Sequence, residues 1–176
     1  MTDTDELGEP QGTSLCKSCG LCCTGHLFIW TKLRSAELDA IRTLGLKVFR
    51  EPGRRGFSQP CPLWRGQCTI YVSPHYPRFC HTYKCKLLKE VLDEITPLPH
   101  ALTVVEQAKD MINELDALLP PSPDTTFRER LVAQIGKFNK SDKQGSTEKE
   151  FQRKARELLA FYKTQFGVSD VMDKVE

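Results

Sequence analysis

Residues 16–23 read Cys16-Lys17-Ser18-Cys19-Gly20-Leu21-Cys22-Cys23, a C-x2-C-x2-C-C run on which the reading of the whole chain turns. Sulfurs three residues apart in a tight turn can point at one centre, which is why C-x2-C recurs in zinc knuckles and in iron–sulfur sites. Cys16, Cys19 and Cys22 keep that spacing and are expected to anchor the same centre. Cys23 is not expected to share it, because adjacent side chains diverge from the backbone. Its partners are expected downstream, where Cys61, Cys68, Cys80 and Cys85 follow with gaps of six, eleven and four residues. For these two groups to meet, the intervening chain must fold back. Pro60, Pro62, Gly66, Pro74 and Pro77 punctuate that return.

The surroundings of the cysteines differ from the rest of the chain. Residues 1–15 hold four acids and no base, and with Gly8, Pro10 and Gly12 they suggest a mobile acidic tail. Residues 16–90 contain thirteen Lys and Arg against four acids, and residues 91–176 contain twelve against fifteen. All eight cysteines therefore lie in the basic segment of a chain whose net charge is only +2. Positive surroundings favour thiolate, the form that ligates metal, so charge and cysteine content suggest one joint explanation. Arg50, Arg54 and Arg55 between Phe49 and Phe57 could instead track a phosphate backbone, but a solvated basic loop is the simpler reading. No nucleic-acid partner is expected.

Beyond Cys85 the pattern is helical. Leu87, Leu88, Val91, Leu92 and Ile95 form one stripe, ended by Thr96-Pro97. A second runs from Ala101 through Val104, Val105, Ala108, Ile112 and Leu115 to Leu118, and Pro120-Pro121 close it. Phe127, Leu131, Ile135 and Phe138 mark a third helix. Thr147 and Glu150 have capping-box spacing before a fourth, marked by Phe151, Ala155, Leu158, Tyr162 and Phe166. Earlier in the chain, Ser35 is placed to cap a short helix that Gly45 would stop, and residues 27–30 and 69–72 suggest short strands. The expected fold class is mainly α, with an irregular cysteine-rich metal-binding module at 16–95, short strands, and a C-terminal helical layer over 96–176 packed on it.

With 176 residues and 39% hydrophobic content the chain can bury an ordinary core, and eight cysteines are too few for a scaffold stapled by disulfides. No window approaches the roughly 18 apolar residues of a membrane helix. No membrane association is expected, and the compartment is expected to be cytoplasmic and reducing, where clustered cysteines hold metal. There is no G-x-S-x-G, P-loop, G-x-G-x-x-G or H-E-x-x-H motif to suggest hydrolase or nucleotide chemistry. His81, beside Cys80, and His26, near Cys23, are the histidines placed to substitute as ligands. Tyr71, Trp30 and Trp64 are expected to pack over the site and exclude water.

The ladder C-x2-C-x2-C-C, then Cys61-Pro62-Leu63, Gly66-x-Cys68-x-Ile70-Tyr71, Pro77-x-x-Cys80 and Cys85, resembles the YkgJ-like cysteine-cluster family, described as zinc- or iron-chelating. The resemblance covers about residues 16 to 90. Where that family usually places arginines, before the proline and after the cysteine, this chain has Tyr76 and His81. The resemblance implies a bound metal, and a relative that methylates flagellin lysines carries this kind of module.

Two metal chemistries fit the thiolates. A zinc ribbon presents two C-x2-C knuckles, whereas the second group here has none. Three cysteines at successive x2 spacing match the run that wraps an iron–sulfur cubane, with a fourth ligand supplied from elsewhere. An iron–sulfur cluster is therefore preferred to zinc, serving electron transfer or one part of a protein-modifying enzyme. The competing reading is a zinc-stabilised module that binds protein or nucleic acid without catalysis. A protein partner is expected at the C-terminal helices.

Overall fold

The structure, a computed structural model, describes residues 10–139 and 145–169. It is mainly α, with one small sheet. Helix α1 covers Gln11–Cys19 and stops at Gly20, whose φ of 74° supplies the left-handed end. Gly12 and Leu15 are buried in it, so the chain is already packed where a tail to residue 15 was expected. Residues 1–9 lie outside the described residues.

Strand β1 (Trp30–Lys32) lies beside β3 (Arg54–Ser58), which pairs on its other side with β2 (Val48–Glu51); both pairings are antiparallel. The β2–β3 hairpin turns at Pro52-Gly53, where Gly53 has φ 75°. The register sets Phe57 opposite both Thr31 and Val48, which puts these three on one face. That face closes a small core of Leu33, Leu38, Ile41, Leu46 and Phe57. The basic, aromatic stretch around Arg54 is thus a hairpin rather than a loop. The strand at 27–30 begins instead at Trp30, and 69–72 forms turns beside a single Trp64–Cys68 bridge.

Helix α2 (Leu38–Thr43) follows a 3-10 turn over Ser35–Glu37. Its entry is held by Glu37, whose Oε2 accepts from the Arg34 N–H at 2.6 Å, so Ser35 is not the cap. Gly45, with φ 85°, does end this segment. Helix α3 (Arg78–Thr82) carries Cys80, and Cys85 caps α4 (Lys86–Leu92). The three long helices are α5 (Leu98–Asp116), α6 (Phe127–Asn139) and α7 (Ser146–Phe161), the last continued by a π turn over Tyr162–Phe166. At the start of α7, Glu148 accepts from the Gly145 N–H at 3.0 Å, two residues before the expected cap.

The apolar stripes of α4 to α7 meet in one large core that also takes Leu15, Leu21 and Leu27 from the cysteine-rich half. Burying these side chains, each contributing about 1.5–3 kcal/mol, joins the two halves of the chain. Arg128 reinforces the joint. It is 3% exposed and its guanidinium donates to the Leu27 carbonyl oxygen. Among the described residues no helix is long and apolar enough to cross a membrane.

Candidate metal centre

All eight cysteines are free thiols and all are partly buried. Five segments bring them together. The last turns of α1 carry Cys16 and Cys19, and the turn after Gly20 carries Cys22 and Cys23. The Cys61 N–H donates to the Cys23 carbonyl oxygen at 2.7 Å, and the Cys68 N–H to that of Lys17 at 3.3 Å, so the 61–68 loop is laced onto the first segment by its backbone. Cys80 rides on α3, and Cys85 arrives at the start of α4, which packs on α1.

The thiols fall into two quartets. Burial pushes Cys16 up to about 11, and Cys85 and Cys68 add to the rise. Burial likewise holds Cys19 up at about 12, with Cys85 and Cys16 contributing, and Cys22 well above its ordinary range, with Cys19 and Cys85 contributing. Cys85 thus contributes to the rise at each of Cys16, Cys19 and Cys22. Cys23 is also raised by burial, but its leading neighbours are Cys80, Cys61 and Cys68. Cys80, lifted by burial to about 12, faces Cys61 and Cys68. The second quartet is Cys23, Cys61, Cys68 and Cys80. Cys16 stands between the two, since it acts on Cys23 and Cys80 as well.

Packing divides six of the cysteines in the same way. Cys16, Cys19, Cys22 and Cys85 lie against the large core, whereas Cys61 and Cys80 lie against the small one. The first quartet, with Cys23, opens on a cavity of about 60 Å³ whose other walls include Leu15, Leu21, Leu27, Leu87 and Leu88. One water needs roughly 10–15 Å³ of such space and two to four polar partners. These apolar walls offer water little, while the sulfurs face a space several atoms wide.

Backbone donors point at some of the sulfurs. The Leu88 N–H donates to Cys85 Sγ at 3.4 Å, and Leu87 contributes a second donor. Cys61 receives the N–H groups of Leu63 and Trp64, Cys68 that of Ile70, and Cys19 that of Leu21. Each quartet thus contains two cysteines approached by the N–H two residues on. Such donors stabilise negative charge on sulfur and help set the properties of a bound centre. Among the described residues, no three Cys, His, Asp or Glu side chains close on a single point as ligands of one ion would.

Several expectations are corrected here. The spacing groups Cys16, Cys19 and Cys22 and leaves Cys85 with the downstream cysteines, whereas in the fold Cys85 packs with those three against the large core. The basic segment does not bring the thiols below their ordinary range: burial raises all eight, and backbone N–H groups with Lys17, Lys89 and Lys109 offset only part of the rise. Arg54 is occupied elsewhere, 5.1 Å from the Trp30 ring and 5.2 Å from that of Phe49. Trp30 likewise packs on the sheet, not over the cysteines. His81 is exposed beside Tyr76, and His26 packs on Phe127 with ring centroids 5.2 Å apart.

Two residues the sequence reading overlooked belong to the site. Tyr76 donates to the Cys80 carbonyl oxygen at 3.3 Å, and burial together with Cys80, Cys16 and Cys68 holds its phenol neutral. Gly20 lets the Trp64 indole lie on the chain between Cys19 and Cys22, because a Cβ there would fall 2.1 Å from that ring. Gly20 had a sequence signal, a glycine directly after the helical spacing of Gly12, Leu15, Cys16 and Cys19. Compared with protein families, with curated proteins and with solved structures, the chain matches none.

Proposed function

We propose that this chain is a cytoplasmic metal protein whose eight cysteines hold two centres, one per quartet, with iron–sulfur clusters preferred to zinc. The observation that carries the reading is that Cys16, Cys19, Cys22 and Cys85 lie against the large apolar core while Cys61 and Cys80 lie against the small one. Thiolate is the common ligand of both metals. Three features favour a cluster in the first quartet: the C-x2-C-x2-C run, the fourth cysteine brought in by α4, and a space several atoms wide rather than a point for one ion. The resemblance of residues 16 to 90 to the YkgJ-like cysteine-cluster family is consistent with either metal.

An iron–sulfur cluster, when bound, supplies one-electron transfer. The protein's own part is to bury the thiols, aim backbone N–H groups at the sulfurs, and exclude water with Trp64 and the leucines around the cavity. Buried thiols hold their protons until a metal displaces them, so loading releases protons and weakens in acid. This arrangement suits electron transfer or the metal-bearing part of a protein-modifying enzyme.

Anaerobic purification followed by visible absorption and by iron, zinc and sulfide analysis tests the reading. Sulfur-to-iron absorption with acid-labile sulfide is expected. A colourless protein with one zinc per quartet would support the zinc-stabilised binding module instead, and a metal-free folded protein would overturn both.

A further inference from the structure

A cleft of about 430 Å³ lies between α1, α3 and α4. Thr13 and Cys16 line it from α1, Cys80 and Thr82 from α3, and Lys84 from the link to α4. Thr82 and Lys84 are exposed, so the cleft opens to solvent. It reaches one cysteine of each quartet. Cys16, Tyr83 and Leu88 also line the apolar cavity of about 60 Å³ onto which Cys19, Cys22 and Cys85 face. These three side chains are therefore the partition between solvent and the first quartet. Other walls of that cavity are the buried Leu15, Leu21, Leu27 and Leu87. A metal ion crossing leucines would lose water without gaining a ligand, whereas one passing Cys16 gains a sulfur as it sheds water.

We propose that this cleft is the route by which metal enters and leaves both centres, carried by a small anionic thiol and handed over at Cys16 and Cys80. The inference rests on the metal-binding reading above. Lys84 stands at the mouth and, among the described residues, no Asp or Glu lines the cleft. That charge disfavours a bare dication and suits a carrier with a carboxylate of its own. The handover is a thiol exchange. A bond forms between the cysteine sulfur and the metal, the bond from the metal to the carrier's sulfur breaks, and the cysteine's proton leaves on the carrier, with no change in oxidation state. Cys16 passes metal on to the first quartet, and Cys80 to the second.

The test measures metal release from the full-length, metal-loaded protein to a chelator, with mercaptopropionate or cysteamine as the small thiol. Thr13→Trp and Thr82→Trp add bulk on two different walls, and each is expected to slow release of all the metal about fivefold at unchanged metal content. Thr103→Trp, exposed on α5 and lining neither space, should release at the wild-type rate. Lys84→Glu should lower the rate with anionic mercaptopropionate, relative to that with cationic cysteamine, about threefold. If one tryptophan variant does not fold, the other wall carries the comparison. The proposal is overturned if the tryptophan variants release at the wild-type rate, slow only half of the metal, or slow no more than Thr103→Trp. An unchanged thiol ratio in Lys84→Glu overturns it too. Metal content of the starting protein separates the two readings: a metal-free folded protein overturns both, whereas a loaded protein whose release ignores the cleft leaves the metal reading standing.

Discussion

The backbone N–H of Cys61 donates to the carbonyl oxygen of Cys23 at 2.7 Å, clamping together two segments far apart in the sequence. This clamp is what gives Cys23 partners other than its neighbour Cys22. Under the proposed function the eight cysteines act as two sets rather than as eight separate ligands.

Alanine at Cys16, Cys19, Cys22 or Cys85 should therefore give one shared phenotype, and alanine at Cys23, Cys61, Cys68 or Cys80 another. Each is expected to lose about half of the bound metal and several kcal/mol of stability, because losing one ligand leaves the other thiolates of that set uncompensated. Metal per chain and thermal unfolding across the eight variants provide the check. Cys85 is the decisive one: a Cys85→Ala phenotype matching Cys61→Ala rather than Cys19→Ala would contradict the grouping.

Gly20→Ala should damage the site without removing a ligand. Its φ of 74° costs an L-residue roughly 1–2 kcal/mol, and the added Cβ must push Trp64 aside. Lower stability together with faster metal loss to a chelator is expected. A variant that releases metal at the wild-type rate would show that Trp64 does not shield the centre.

His26 makes stability fall in acid. Burial lowers its pKa to about 4, against a small opposing effect of Asp116. Above about 6.5 it is neutral folded or unfolded; as the pH falls from there to about 4, only the unfolded chain takes the proton, so stability is lost over that window by at most about 3 kcal/mol. Below the folded pKa the loss levels off. Urea unfolding of wild type and His26→Gln between pH 4 and pH 8 should show a difference that shrinks toward the acid end. A pH-independent difference would remove His26 from the account.

Arg128→Met should cost about 2–3 kcal/mol, since it leaves the Leu27 carbonyl oxygen without its buried donor. The loss should appear as lower thermal stability, read by calorimetry, in protein that still binds metal. Wild-type stability would show that the hydrogen bond does not hold α6 to the cysteine-rich half.

The long helices were readable in the sequence because their burial is periodic: Ala101, Val105, Ala108, Ile112 and Leu115 recur at helical spacing and are all buried. Helix α1 carries the same period in Gly12, Leu15, Cys16 and Cys19, but it is hidden when cysteine is weighed only as a ligand and not as an apolar residue. The hairpin was masked by Arg50, Arg54 and Arg55, which occupy strand positions paired within the hairpin itself, Arg50 with Arg55 and Arg54 with Glu51. The opposite error arose at 69–72. Its residues favour strand, but no neighbouring strand pairs with them and Val72 is left 88% exposed. Sequence order says nothing about which helix α4 packs against, so the placing of Cys85 against the large core was not legible.

Cys16 and Cys19 share one helix, and that fixes how the chain can tolerate change. Successive residues on α1 are rotated by about 100°, so one residue inserted between these cysteines would swing Cys16 to another side of the helix and away from both sets of sulfurs. An insertion at Gly53, where a Cβ would meet nothing within 4 Å, lengthens only an exposed turn. The spacing between Cys16 and Cys19 is thus set by a rigid rod of nine residues, and a longer turn at Gly53 leaves it unaltered.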